Sequence, residues 1–144
     1  MEQVQPLWFK SMGDIPWQEY PGHFGSALSK ELVGPQQSSA GLIDFRISRY
    51  APMAYVEVHS HKVQYQIYYV LEGEGTLIIG NERRVMKVHD YVLVPPGLSH
   101  GISNQGLDAL VFFVITTPAV DQAADPGEKQ RVKQGKVLIS SPII

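Results

Sequence analysis

Between Gly41 and Thr117 no stretch of the chain repeats its apolar residues at the 3.6-residue period of a helix. The segment is built instead from short runs that alternate or are rich in β-branched and aromatic residues. In LIDFRIS, Ile43, Phe45 and Ile47 fall on one face. AYVEVHSH is extended, and IYYVL, TLIIG, YVLVPP and ALVFFVITT all carry strand-forming residues. Turn signals separate them, most clearly Gly80–Asn81 between TLII and ERRVMKV. Short strands with frequent turns predict an all-β sandwich or barrel.

The flanks read differently. Residues 1–40 mix Trp8, Phe9, Trp17, Tyr20 and Phe24 with Pro and Gly and have little periodicity. This arm is too aromatic to stay in water and is expected to pack on the barrel or on a partner subunit. Residues 118–144 pass through a polar stretch to the apolar VLISSPII, which is expected to dock on the barrel. The chain thus divides into an arm (1–40), a barrel core (41–117) and a C-terminal extension (118–144).

With 144 residues, 44% of them hydrophobic, the chain suffices for one domain with a real core. Its net charge of -2 and scattered basic residues give no case for nucleic acid. The longest apolar run, near Ala109–Ile115, is too short to span a bilayer. MEQVQPLWFK lacks the pattern of a secretory leader, so a cytoplasmic location is expected. No cysteine is present, so any metal must be held by His, carboxylate, amide or water.

Five histidines occur: His23, His59, His61, His89 and His100. In extended chain, residues two apart share a face, so His59 and His61 project side by side and can share one ion. The same parity puts Tyr55 and Glu57 with them, making Glu57 a candidate to orient an imidazole.

At this point the residues resemble the cupin family. Its first motif is Gly, five residues, His-x-His, three or four residues, Glu, six residues, Gly. His59, His61 and Gly73 match it. Its second is Gly, five residues, Pro-x-Gly, two residues, His, three residues, Asn, matched by Pro95, Gly97, His100 and Asn104. Three positions depart. Met53 and His89 stand where the motifs open with glycine, so His89 is read as a turn residue, and His23, in the arm, is not read as a ligand either. Gln66 stands at the glutamate; Gln64 shares its parity, but the spacing to Gly73 favours Gln66.

The resemblance implies a double-stranded β-helix (jelly-roll) barrel with an N-terminal arm. It also implies a divalent transition metal (Mn, Fe, Ni or Zn) on His59, His61, Gln66 and His100. An amide leaves the full +2 on such a centre, weakening retention of the ion but strengthening its pull on an anionic substrate. Cupins with this ligand set include a pectin-degradation member acting on unsaturated uronates and bacterial hydroxynitrile lyases. The expected function is therefore Lewis-acid isomerase or lyase chemistry on a small oxygenated anion such as a sugar acid or keto acid. Glu57 and Tyr68 are the candidate catalytic side chains. Two alternatives stand beside this reading: an iron-dependent dioxygenase, and a sensor that binds a small ligand without turnover. A homodimer is expected, with the arm covering a sheet edge.

Overall fold

The computed structural model describes residues 8–37 and 41–121, so most of the C-terminal extension lies outside the described residues. A 3-10 turn at Met12–Asp14 precedes eleven strands: β1 (Gln18–Glu19), β2 (His23–Phe24), β3 (Ala27–Val33), β4 (Asp44–Tyr50), β5 (Tyr55–Val56), β6 (Tyr65–Glu72), β7 (Gly75–Ile79), β8 (Glu82–Met86), β9 (Tyr91–Val94), β10 (His100–Ser103) and β11 (Leu110–Thr117). They form two antiparallel sheets, one ordered β1-β3-β4-β11-β6-β9 and the other β2-β5-β10-β7-β8. The fold is all-β, a double-stranded β-helix with Greek-key-like crossovers between its sheets. No helix among the described residues is long and apolar enough to cross a membrane.

The turns follow local chemistry. Gly80, with φ +56°, and Asn81 connect β7 to β8, and Ile79 pairs with Glu82 across them. Gly73 has φ +73°, and a Cβ there would collide with the carbonyl of Ala109, so both backbone angle and space demand glycine. Met53 and His89, the two residues at expected glycine positions, each adopt φ +71°. The turns keep the left-handed shape that glycine serves and bear its cost in a side-chain residue.

Along β4 and β11 the inward faces change character. At one end Tyr50 registers with Leu110, and these pack with Phe112, Val70, Ile102 and Leu77 in a dry core. At the other end Asp44 registers with Thr116, which also registers with Gln66. The alternation of LIDFRIS is present, but its polar row, Asp44, Arg46 and Ser48, faces a cavity inside the barrel. Phe45 lies on the opposite face and packs on Phe113 at 5.2 Å. The barrel is thus packed at one end and hollow at the other.

Asn104 holds the closed end together. Fully buried, it donates to the carbonyls of Tyr50 (2.9 Å) and Asp108 (2.8 Å) and accepts from the Gly106 amide (2.9 Å). Its backbone bonds to Ala54 and Met53 as well. This accounts structurally for the asparagine that ends the second motif.

Candidate metal centre

The hollow end is a cavity of about 370 Å³ bounded by both sheets and by the arm. Its chemistry begins with a backbone bridge. The amides and carbonyls of His59 and His100 pair reciprocally at 2.9 and 2.8 Å, which places the two imidazoles side by side. Gly97 donates its amide to the carbonyl of His61 at 2.7 Å, fastening the second motif to the turn that carries the first. Gln66 enters from β6 in the facing sheet.

These placements bring all four predicted ligands together. Nitrogens of His59, His61 and His100 lie within 4.8 Å of one another. The Gln66 Oε1 lies 2.9 Å from His100 Nε2 and 3.2 Å from His61 Nε2. Ligand atoms at about 2.1 Å from an ion lie about 3.4 Å apart in a tetrahedron and about 4.2 Å apart when trans in an octahedron, so the widest pair would close by about 0.6 to 1.4 Å on binding.

The protonation pattern fits a cation. His100 Nδ1 donates to the carbonyl of Leu98 at 2.8 Å, and His59 Nδ1 donates to the carbonyl of Glu57. A carbonyl only accepts, so each Nδ1 carries the proton and each Nε2 keeps a lone pair. The Asp121 carboxylate, 3.7 Å from His61 Nδ1, favours the same tautomer there. The Gln66 amide is turned with its NH₂ toward Thr116 Oγ1 at 3.1 Å, leaving its oxygen among the imidazoles. Nε2 of His61 and His100 faces the Gln66 oxygen at 3.2 and 2.9 Å; with the Nδ1-protonated neutral rings, lone pairs would converge there, a repulsion that a bound cation would relieve. Burial, reinforced by the other two imidazoles, lowers the pKa of His100 to about 4. Burial likewise pulls His61 below its ordinary value, with His59 adding to the shift. Both are therefore neutral, as ligands must be.

Other residues named from sequence separate here. Gln64 is buried, and its Nε2 donates to the carbonyl of Pro118 at 3.0 Å, a structural role. Tyr68 is buried beside the ligands and donates its hydroxyl to Gln66 Oε1 at 3.3 Å. Burial pushes its phenol well up, so it remains a donor. Glu57 is exposed at the cavity wall, and it orients His59 through its backbone carbonyl instead of its carboxylate. Tyr55 departs from the parity reading: β5 ends at Val56, and Tyr55 packs against Phe24 at 5.4 Å, 43% exposed. The regular strand stops there, so counting by twos from His59 fails. His89 is remote from the ligands and meets the Tyr69 hydroxyl at 3.2 Å.

Sequence reasoning passed over three contributors. His23 lines the cavity from β2, its Nδ1 donating to the carbonyl of Pro21 at 3.1 Å and its ring edge-on to Tyr50 at 6.2 Å. Arg46 lines the far wall, held by Asp44 at 2.8 and 3.1 Å and covered by the Tyr20 ring at 4.2 Å. Asp121 accepts from the amides of Lys62 and Val63 at 2.9 to 3.0 Å and so braces the turn carrying His61. Each comes from a segment without a motif, and only the fold brings it in.

Comparison with known proteins agrees with this geometry. The family described as "Cupin domain" matches residues 46–116. An oxalate-binding protein of Thermotoga maritima is 32% identical over 88 residues, which is 61% of this chain and 69% of that one. The chain belongs to the cupin family. An uncharacterized protein of Methanocaldococcus jannaschii is 39% identical over 49 residues, a match spanning 34% of this cupin and 39% of that protein's length. Among solved structures, a predicted oxalate decarboxylase of Thermotoga maritima superposes with a TM-score of 0.69 at 24% identity, covering 74% of this chain and 96% of the other. KdgF from Halomonas sp. superposes with a TM-score of 0.65 at 20% identity, covering 78% and 96%. At such identities the superpositions speak for the barrel alone. As a member of the family, this cupin has three histidines placed to hold a metal ion and a cavity suited to a small ligand.

Proposed function

We propose that this cupin is a metal-dependent enzyme that acts on a small oxygenated anion by isomerase or lyase chemistry without net redox change. His59, His61, Gln66 and His100 would hold a divalent transition metal. The observation that carries this is the convergence of three imidazoles and the oxygen of an uncharged amide. When bound, such an ion supplies Lewis acidity toward a substrate oxygen.

The chain's own groups do the remainder. Leu98 and Glu57 carbonyls keep the imidazoles in one tautomer, and Asp121 braces His61. Tyr68 holds its proton at its hydroxyl and donates it to the amide oxygen, fixing Gln66. The apolar packing behind Tyr68 and His100 keeps bulk water from the ligands' inner side. Glu57, at the cavity wall, is the carboxylate available for proton transfer. The reading also includes a homodimer; light scattering that returns one chain's mass would remove that part.

A binding site without turnover is the second reading, favoured by the relative named as an oxalate-binding protein. Metal analysis of the untagged protein beside Gln66→Ala tests the common premise: near-stoichiometric metal is expected in the parent and a clear loss in the variant. An empty parent that refuses Mn, Fe, Ni and Zn would sink both metal readings. Proton exchange or turnover in a screen of hydroxy and keto acids then separates enzyme from binder.

A further inference from the structure

The wall of the cavity away from the imidazoles carries hydroxyls where the closed end packs carbon. Ser29 on β3 and Ser48 on β4 are buried and in register, and their oxygens meet at 2.7 Å. One proton lies between them. The second hydroxyl's proton has no acceptor among the described residues, and both side chains line the cavity. A buried hydroxyl pair with one proton unused costs more than an apolar pair of the same shape, unless something in the cavity takes that proton.

Thr116 repeats the pattern beside the candidate ligands. It stands on β11 between Gln66 on one neighbouring strand and Asp44 on the other, about 4.8 Å to either side. Gln66 turns its oxygen to the imidazoles, so its Nε2 donates to Thr116 Oγ1 at 3.1 Å. Thr116 therefore accepts on that side, and its own proton has no acceptor among the described residues. Buried and lining the cavity, its hydroxyl is a donor one amide group away from the imidazoles. Asp44 next to it holds Arg46 through both oxygens, at 2.8 and 3.1 Å, and keeps lone pairs for a further donor.

A group that accepts from Thr116 and donates to Asp44 is a hydroxyl. A carboxylate would accept from Thr116 but meet the charge of Asp44, and a methylene would leave both unused. The charges of this wall are already paired, Arg46 with Asp44 and Glu31, so the wall suits neutral polar groups. A site built to hydrogen-bond a hydroxyl rejects the analogue that lacks it, because its own buried polar groups are then left unpaired.

We propose that Thr116, Asp44 and the Ser29–Ser48 pair hold hydroxyl groups along the ligand's carbon chain, so that this cupin selects a polyhydroxylated anion over the same chain without hydroxyls. This rests on the metal reading above, which puts the anionic end at His59, His61, Gln66 and His100, and it adds what the rest of the ligand carries. The test is calorimetric titration of the zinc-loaded full chain with gluconate, galactonate, hexanoate and oxalate, repeated on the metal-free chain. Ser29→Ala combined with Ser48→Ala removes both partners at once, so no hydroxyl is stranded and the melting temperature is expected to hold. At least one of the two hydroxylated anions is expected to bind the loaded parent about ten-fold or more tightly than hexanoate. The double variant is expected to lose about five-fold for that anion, while hexanoate and oxalate change less than about two-fold and zinc content stays equal. Thr116→Ser, which keeps the hydroxyl, should retain the preference, and Thr116→Val should lose it. No preference for a hydroxylated anion in the parent overturns the proposal. So does a double variant whose melting temperature falls while its affinities stay, since the serines are then a structural pair. Failure of the metal reading shows separately: zinc leaves the parent on dialysis, while the metal-free chain still prefers the hydroxylated anion.

Discussion

At the scale of single residues, the proposed site would favour a cation by denying protons to nitrogen. His100 is the clearest case: it is fully buried, its Nδ1 proton is committed to Leu98, and its pKa is lowered to about 4. The unfolded chain takes up a proton at this residue near the ordinary value of 6.5, while the folded chain resists until about 4. Between these values the unfolded state binds more protons. The stability that comes from keeping His100 neutral is therefore complete above pH 6.5 and is lost as pH falls toward 4, a loss of about 3 kcal/mol. Urea unfolding of metal-free protein across this window is expected to show that decline. His100→Gln should flatten most of it, since an amide does not titrate. A slope unchanged in the variant would place the acid sensitivity elsewhere.

At the scale of elements, the site depends on a turn that nothing within it would hold. Residues 61–64 leave regular strand, and the amides of Lys62 and Val63 find their acceptor in Asp121, nearly sixty residues along the chain. The same carboxylate faces His61 Nδ1. Asp121→Ala frees two amides and one imidazole together, and metal affinity is expected to fall roughly ten-fold or more, with the fold retained. Competition with a chromophoric chelator measures it; affinity equal to the parent's would reduce Asp121 to a loop cap. This residue also marks how far the sequence could be read. His59, His61, Gln66 and His100 were legible because their spacing in the chain matches the two motifs that place them. Met53 and His89 were legible as turn positions for the same reason, and their positive φ bears this out. Asp121, His23 and Arg46 were not, since strand order and register bring them to the cavity and no local pattern encodes either. Tyr55 was misplaced because parity holds only while the strand does, and β5 has two residues.

At the scale of the molecule, the four candidate ligands come from both sheets. Gln66 belongs to the six-stranded sheet and His100 to the five-stranded one, while His59 bridges to His100 and His61 sits in the turn between. Toward the open end Asp44, Ser48, Thr116 and Gln66 face a cavity beside Val56 and Val114, where the closed end packs Tyr50, Leu110 and Phe112 against one another. An ion coordinated from both sheets would add a tie across that cavity. Binding to the folded state alone stabilises by mass action, about 2.7 kcal/mol at a free metal concentration one hundred times Kd. The melting temperature of chelator-treated protein is therefore expected to lie several degrees below that of the loaded protein and to climb with the logarithm of added metal. Gln66→Ala should climb less at equal metal, because the six-stranded sheet then contributes no ligand. Gln66→Glu should climb more, its charge adding attraction to the ion. A melting temperature indifferent to metal in all three proteins would show that the two sheets are already joined without it, and that the convergence of donors serves a neutral ligand instead.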